Sequence, residues 1–150
     1  MIEVVSHWEI GWNTPLLEAD LWLLPLRDFG VTDWWVWPVT GIRCREQRVN
    51  LHERPDLRTI LQETPSWRRV YFEPINPSQF SGPSTLLNEY EHTDDAVWIF
   101  GSNHFCPPMQ MGRDENADYV TLPSVEDAGV IWPHQIFVAA AYDRLVKSWQ

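Results

Sequence analysis

Four short runs in this chain carry almost no polar residue: WWVW at 34–37, VYF at 70–72, AVWIF at 96–100 and YVTL at 119–122. A strand with one wet face alternates apolar and polar side chains, and a strand buried on both faces does not. With the β-branched run at 2–5, these segments predict strands of a mostly parallel sheet with helices on both faces, an α/β fold. The segments between them read as helices. Thr14 can cap a helix that Pro15 opens, and Leu16, Leu17, Leu21, Trp22 and Leu24 give it a broad apolar face. Pro25 is expected to kink or end that helix, and Gly30 to close the region. The sequence further predicts a short helix over 56–62, another over 83–91 and a long final one over 133–149. The arginine-rich stretch between 37 and 56 reads as loop. At 150 residues the chain is expected to be one domain, 1–150.

In such sheets ligands bind beyond the carboxyl ends of the strands. Three irregular segments follow strands here: FGSNHF from 100, FEPINPSQFSG from 72 and PSVEDAGVIWP from 123. All are rich in Gly, Pro, Ser and Asn, and long irregular loops on one edge of a sheet tend to carry function. Gly101, directly after a strand, marks either a tight turn or a place where the backbone must approach a ligand.

Charge and motif content narrow the function. The net charge is −10, which opposes indiscriminate nucleic-acid binding. Seven of the ten arginines, however, lie within 43–69, a segment of net charge +3. Arginine makes bidentate phosphate contacts, so this segment, with Arg43, Arg45 and Arg48 at its head, is the expected place for any nucleic-acid contact. The alternative is a solvated surface paired with acids. No glycine-rich nucleotide motif and no G-x-S-x-G elbow occurs. The five histidines and two cysteines lack zinc spacing, so no metal site is expected. Two cysteines without C-x-x-C spacing, the lack of a leader-like start and the lack of an ~18-residue apolar run lead us to expect a cytoplasmic chain with no membrane span. Ten tryptophans exceed what a core of this size ordinarily uses and raise the expectation of a buried interface.

The order of segments resembles the SPOUT class of knotted RNA methyltransferases, in particular its 2′-O-ribose branch. VWIFGSNHF, ADYVTLPS and PHQIFVAAAYDRL correspond in order and spacing to that family's F-G-x-E strand, I-P-M strand and alanine-rich last helix. EIGWNTP is similar to the E-I-P-x-N-T-G opening of a tRNA-modifying subgroup, and FGVTDWWV to its F-G-V segment. The resemblance implies a C-terminal trefoil knot, a homodimer through the first and last helices, and S-adenosylmethionine held mostly by backbone. By position, the cofactor would be lined by Glu73, Pro74, Gly101, Ser102, Leu122, Pro123, Pro133, Gln135 and Ile136. The implied activity is methyl transfer to RNA, with a tRNA ribose 2′-hydroxyl as the expected target.

Several motif letters depart from the family. The arginine expected six residues after Asn13 is Ala19, or Leu24 if FGV is the anchor. The glutamate of F-G-x-E is Asn103, and the serine and asparagine of the last loop are Pro133 and Gln135. Arg27 and His134 are the expected substitutes as catalytic groups, with His104 and Glu18 behind them. The alternative is a catalytically degenerate relative that binds the cofactor or a partner; a third reading is an unrelated flavodoxin-like binding domain.

Overall fold

The computed structural model describes residues 1–8, 15–42, 48–73, 83–102, 107–122 and 132–150. Seven strands form one sheet: β1 (Ile2–His7), β2 (Asp33–Trp37), β3 (Asn50–Glu53), β4 (Arg68–Glu73), β5 (Thr85–Leu86), β6 (Ala96–Phe100) and β7 (Asp118–Thr121). Their order across the sheet is β3-β2-β1-β6-β4-β7-β5. Every adjacent pair is parallel, so the sheet is wholly rather than mostly parallel. The helices are α1 (Pro15–Asp28), α2 (Leu57–Glu63), α3 (Pro107–Met111) and α4 (Pro133–Ser148).

The unalternating strands divide their side chains between two apolar layers. One holds Val4, Trp34, Val36, Val70, Phe72, Trp98, Phe100 and Val120 under α1 and α4, which contribute Trp22, Leu26, Phe137 and Ala140. The other holds Val5, Trp35, Trp37, Tyr71, Val97, Ile99 and Tyr119 under Leu57 and Ile60 of α2. Helices therefore cover both faces, as the apolar runs require. Six tryptophans (8, 22, 34, 35, 37 and 98) are buried within the chain itself. Trp22 is the hub of the first layer: its ring lies 5.9 Å from Trp34, 5.5 Å from Phe100 and 6.1 Å from Phe137. Buried indole N–H groups have partners, Ser6 Oγ for Trp34 at 2.8 Å and Glu3 Oε1 for Trp35 at 3.0 Å.

Three local readings are corrected. The helix expected over 83–91 is a two-residue strand, β5, followed by a single 3-10 turn, Leu87–Glu89. Pairing of Thr85 and Leu86 with Val120 and Thr121 supplies backbone partners that a helix would otherwise provide. Of the two outcomes expected at Pro25, a kink or an end, the end is not found: α1 continues to Asp28. The stretch expected to be loop contains β3, a polar edge strand whose Leu51 packs on the core. Lys147, near the end of α4, donates to Leu87 O at 3.0 Å and Tyr90 O at 2.9 Å, tying the last helix to the 3-10 turn.

Phe137 is fully buried and packs between Trp22, Trp98 and Phe100. Phe137→Ala is expected to cost about 3–5 kcal/mol, because the rings around it cannot all collapse into the space left. Urea unfolding of the variant against the parent measures this.

Candidate functional site at the carboxyl edge of the sheet

From β1 the chain steps outward through β2 to β3 on one side, while β4 lies on the other side beyond β6. The strand order therefore reverses around β1 and β6, and the crevice outside such a reversal is where open parallel sheets bind ligands. The register defines what stands there. His7 pairs with Trp37, Ser6 and Phe72 both pair with Phe100, and Glu73 pairs with Thr121. One residue further along β6, Gly101 falls between His7 and Glu73. Side chains repeat every second residue along a strand, so His7 follows Val5, and Glu73 follows Tyr71, onto the face covered by α2. His7 and Glu73 thus flank a position without a side chain, two strand spacings or about 9–10 Å across.

Glu73 is 3% exposed. Neither of its carboxylate oxygens has a hydrogen-bond partner among the described residues. Burial pushes its pKa up to about 7, opposed by the charge of Arg113. Arg113 does not close an ion pair with it among the described residues: its guanidinium lies 3.7 Å over the Tyr119 ring, and its Nη2 donates to Pro83 O. On the other flank, His7 Nδ1 lies 2.7 Å from Ser102 Oγ, and the imidazole packs 5.0 Å from the Trp37 ring.

The start of α4 completes the edge. His134 meets Trp22 edge to face at 6.2 Å, and Trp22 in turn meets Phe100, the last residue of β6. Burial lowers the His134 pKa, favouring the neutral imidazole. Ile136 is buried in the core, Leu122 is partly buried against it, and Pro133 opens the helix. Gln135 is exposed, and its Oε1 accepts from the Trp132 backbone N–H at 3.0 Å, a capping contact. Glu73, Gly101, Ser102, Leu122, Pro133, Gln135 and Ile136 are therefore gathered along one edge. Pro74, Pro123, Asn103 and His104 lie outside the described residues. Arg27 stands apart. It sits in the last turn of α1, near the amino edge, with Nε and Nη2 on Asp28 Oδ1 at 3.0 and 2.8 Å. Within one chain it does not join His134.

Much of the arginine stretch is engaged. Arg54 holds Glu63 through Nε at 2.5 Å and Nη2 at 3.2 Å, and Arg68 pairs with Asp118. Arg69 donates to Leu61 O at 3.1 Å and stands 3.7 Å from Asp114. Arg58 is exposed and, with Arg69, Arg113 and Tyr71, lines a groove of about 290 Å³. Arg48 is exposed; Arg43 and Arg45 lie outside the described residues. Among the described residues no group of three or more His, Cys, Asp or Glu could hold a metal ion, and no helix is long and apolar enough to cross a membrane.

Similarity to solved structures extends over the whole chain. One structure, described as giving insight into 2-OH methylation of C/U34 on tRNA, matches at a TM-score of 0.69 and 13% identity, over 100% of this chain and 92% of that one. The chain shares the fold of that structure. An RNA 2′-O ribose methyltransferase matches at a TM-score of 0.62 and 11% identity, over 100% of this chain and 57% of the other. A protein of Neisseria gonorrhoeae assigned to the methylase family matches at 0.67 and 10%, over 99% of this chain and 83% of its own. No protein-family model matches, and no curated protein does. The parallel α/β architecture with helices on both faces expected from the motif order is thus present, at identities where only the fold is shared.

Two features of the edge escape a reading of the sequence. The His7–Ser102 contact joins residues 95 apart, and His7 lies beyond the 2–5 run by which β1 is recognised. The isolation of Glu73 is equally invisible in the sequence, because an unmet hydrogen bond has no motif. It has a measurable consequence. A carboxyl whose pKa rises from 4.5 to about 7 on folding stabilises the protein while protonated: the contribution is full below pH 4.5 and is lost as pH climbs through about 7. Among the described residues the charge that acts on Glu73 is that of Arg113, and Glu73 in turn acts on the Tyr119 phenol, which titrates at much higher pH. The melting temperature of the ligand-free protein is therefore expected to fall between pH 4.5 and 7, and Glu73→Gln to flatten that decline. An identical decline in the variant would assign it to other groups.

Proposed function

We propose that this protein is an S-adenosylmethionine-dependent methyltransferase acting on RNA, with a tRNA ribose 2′-hydroxyl as the target. The observation that carries this reading is the end-to-end match with a structure concerned with 2-OH methylation of tRNA. The carboxyl-edge arrangement supports it as well. Glu73, Gly101, Leu122 and the 133–136 turn are the positions that the motif series assigns to the cofactor, and they share one edge. Gly101 is then a glycine of close approach, and the segments 74–82, 103–106 and 123–131 continue the chain from the three strand ends around it. The trefoil knot is part of the proposal: β7 lies between β4 and β5, so the last strand enters between two strands that precede it.

S-adenosylmethionine, when bound, supplies the methyl group. The chain's own residues must position the hydroxyl and hold its proton. With Ala19 or Leu24 at the motif arginine and Pro133 at the motif serine, the neutral imidazole of His134 is the acid–base candidate that the motif series offers. Losing an acid–base group costs about 10²–10⁴-fold, so turnover is expected to be slow on ordinary tRNA. RNA would approach through the 43–69 stretch, where Arg48 and Arg58 remain exposed. Calorimetry with S-adenosylmethionine should show binding, and labelled methyl should enter unfractionated tRNA slowly, in a His134-dependent manner. Binding without any methyl transfer would favour the second reading, a cofactor-binding relative that has lost catalysis; absence of binding would remove both.

A homodimer through α1 and α4 belongs to the same proposal. Val138, Tyr142, Leu145 and Trp149 form an exposed stripe along α4 at the four-and-three spacing of one helix face. Leu17 and Leu24 are exposed on α1, which packs beside it on the same layer. A stripe of this kind is unusual on a monomer and fits a symmetric interface of more than roughly 1,000 Å². Light scattering should report a dimer, and Tyr142→Glu combined with Trp149→Glu should reduce it to the monomer mass without loss of fold.

A further inference from the structure

Glu73 presents a difficulty that the described residues do not resolve. Both carboxylate oxygens are sealed from solvent and lack partners among the described residues, at the end of a strand whose neighbour on one side continues into Gly101. A buried carboxylate without partners costs stability, and a native protein retains one where something else completes it. The surroundings limit what that can be. Two acceptor oxygens stand unmet, so a single N–H donor would leave one of them orphaned. A cationic group is opposed by the guanidinium of Arg113, already close enough to act on Glu73 and itself carrying a buried Nη1 without a partner. A neutral group with two adjacent donors meets both conditions.

We propose that Glu73 is the ribose anchor of the ligand pocket, its two oxygens each accepting a hydrogen bond from one hydroxyl of a vicinal diol. The diol lies in the slot that Gly101 leaves between His7 and Glu73. Thr121, paired with Glu73 on the adjacent strand, bounds the same row on the far side. This inference rests on the methyl-donor reading, in which the ligand is an adenosyl compound whose ribose carries such a diol. It assigns side-chain recognition to one point of a pocket otherwise contacted by backbone.

The test is calorimetry of the full chain with S-adenosylhomocysteine and its 2′-deoxy and 3′-deoxy analogues. At pH 8, where Glu73 is ionised, the parent should bind the ribo compound about tenfold or more tighter than either analogue, because a hydrogen bond to a charged group is lost. Glu73→Ala should weaken binding of the ribo compound by about the same factor and bind all three compounds alike. Glu73→Gln, which keeps one acceptor, should fall between. Its ligand-free melting temperature at pH 8 should equal or exceed that of the parent, since an uncompensated buried charge has been removed. A lower melting temperature for Glu73→Gln would make Glu73 a structural group and overturn the inference. So would a Glu73→Ala variant that still prefers the ribo compound as the parent does, and the methyl-donor reading would then stand without it. A parent that binds none of the three compounds would overturn that reading and this inference together.

Discussion

The placement of β6 is the constraint on which the rest of the molecule depends. All five of its residues are buried, and it is bonded to β1 on one side and β4 on the other. Without it the sheet would separate into a β1-β2-β3 half and a β4-β7-β5 half. Its side chains also serve both apolar layers, Trp98 and Phe100 toward α1 and α4, Val97 and Ile99 toward α2. Because β6 sits where the strand order reverses, its carboxyl end opens into the crevice, and the residue that follows it there is a glycine. The strand that holds the two halves together is thus the one that delivers the chain to the candidate site.

The parts of this architecture that were legible in the sequence are those for which burial controls composition. WWVW, AVWIF and their counterparts read as strands because a sheet covered on both faces leaves no room for alternation. The final helix was readable from its alanine-rich apolar positions. What was missed lies where burial exerts little control. β3 is a polar edge strand, β5 is two exposed residues held by pairing with β7, and α3 is a five-residue turn of helix starting at Pro107. Long-range pairing overrode local preference at 85–86, and α1 runs on past Pro25, where a kink or an end was expected. At the site, the motif series supplied Gly101, Leu122 and Glu73 as positions. It could not supply the chemistry of Glu73, whose carboxylate meets no partner among the described residues, nor the contact between His7 and Ser102.

The electrostatics show a similar division between composition and arrangement. A +3 segment in a −10 chain suggests a cationic surface. In the fold, Arg54, Arg68 and Arg69 are instead engaged by Glu63, Asp118, Asp114 and a backbone carbonyl. Exposed pairs of this kind contribute little to stability, but they reduce the field the segment can project. Arg48 and Arg58 are exposed, while Arg43 and Arg45 lie outside the described residues.

The insertion of β7 between β4 and β5 bears on how the molecule comes into being. As the chain leaves the ribosome, residues 1–53 can form a three-stranded parallel patch, but its β1 edge is open until β6 has emerged. The site reserved for β7 must stay open longer still, because both its neighbours are made before it. Contacts so distant in sequence are costly to close and leave apolar edges exposed while they wait. The half-synthesised protein should therefore be a better client for chaperones than its modest length suggests. Only once α4 has followed β7 out of the ribosome can the strand and the helix that covers its layer fall into place together.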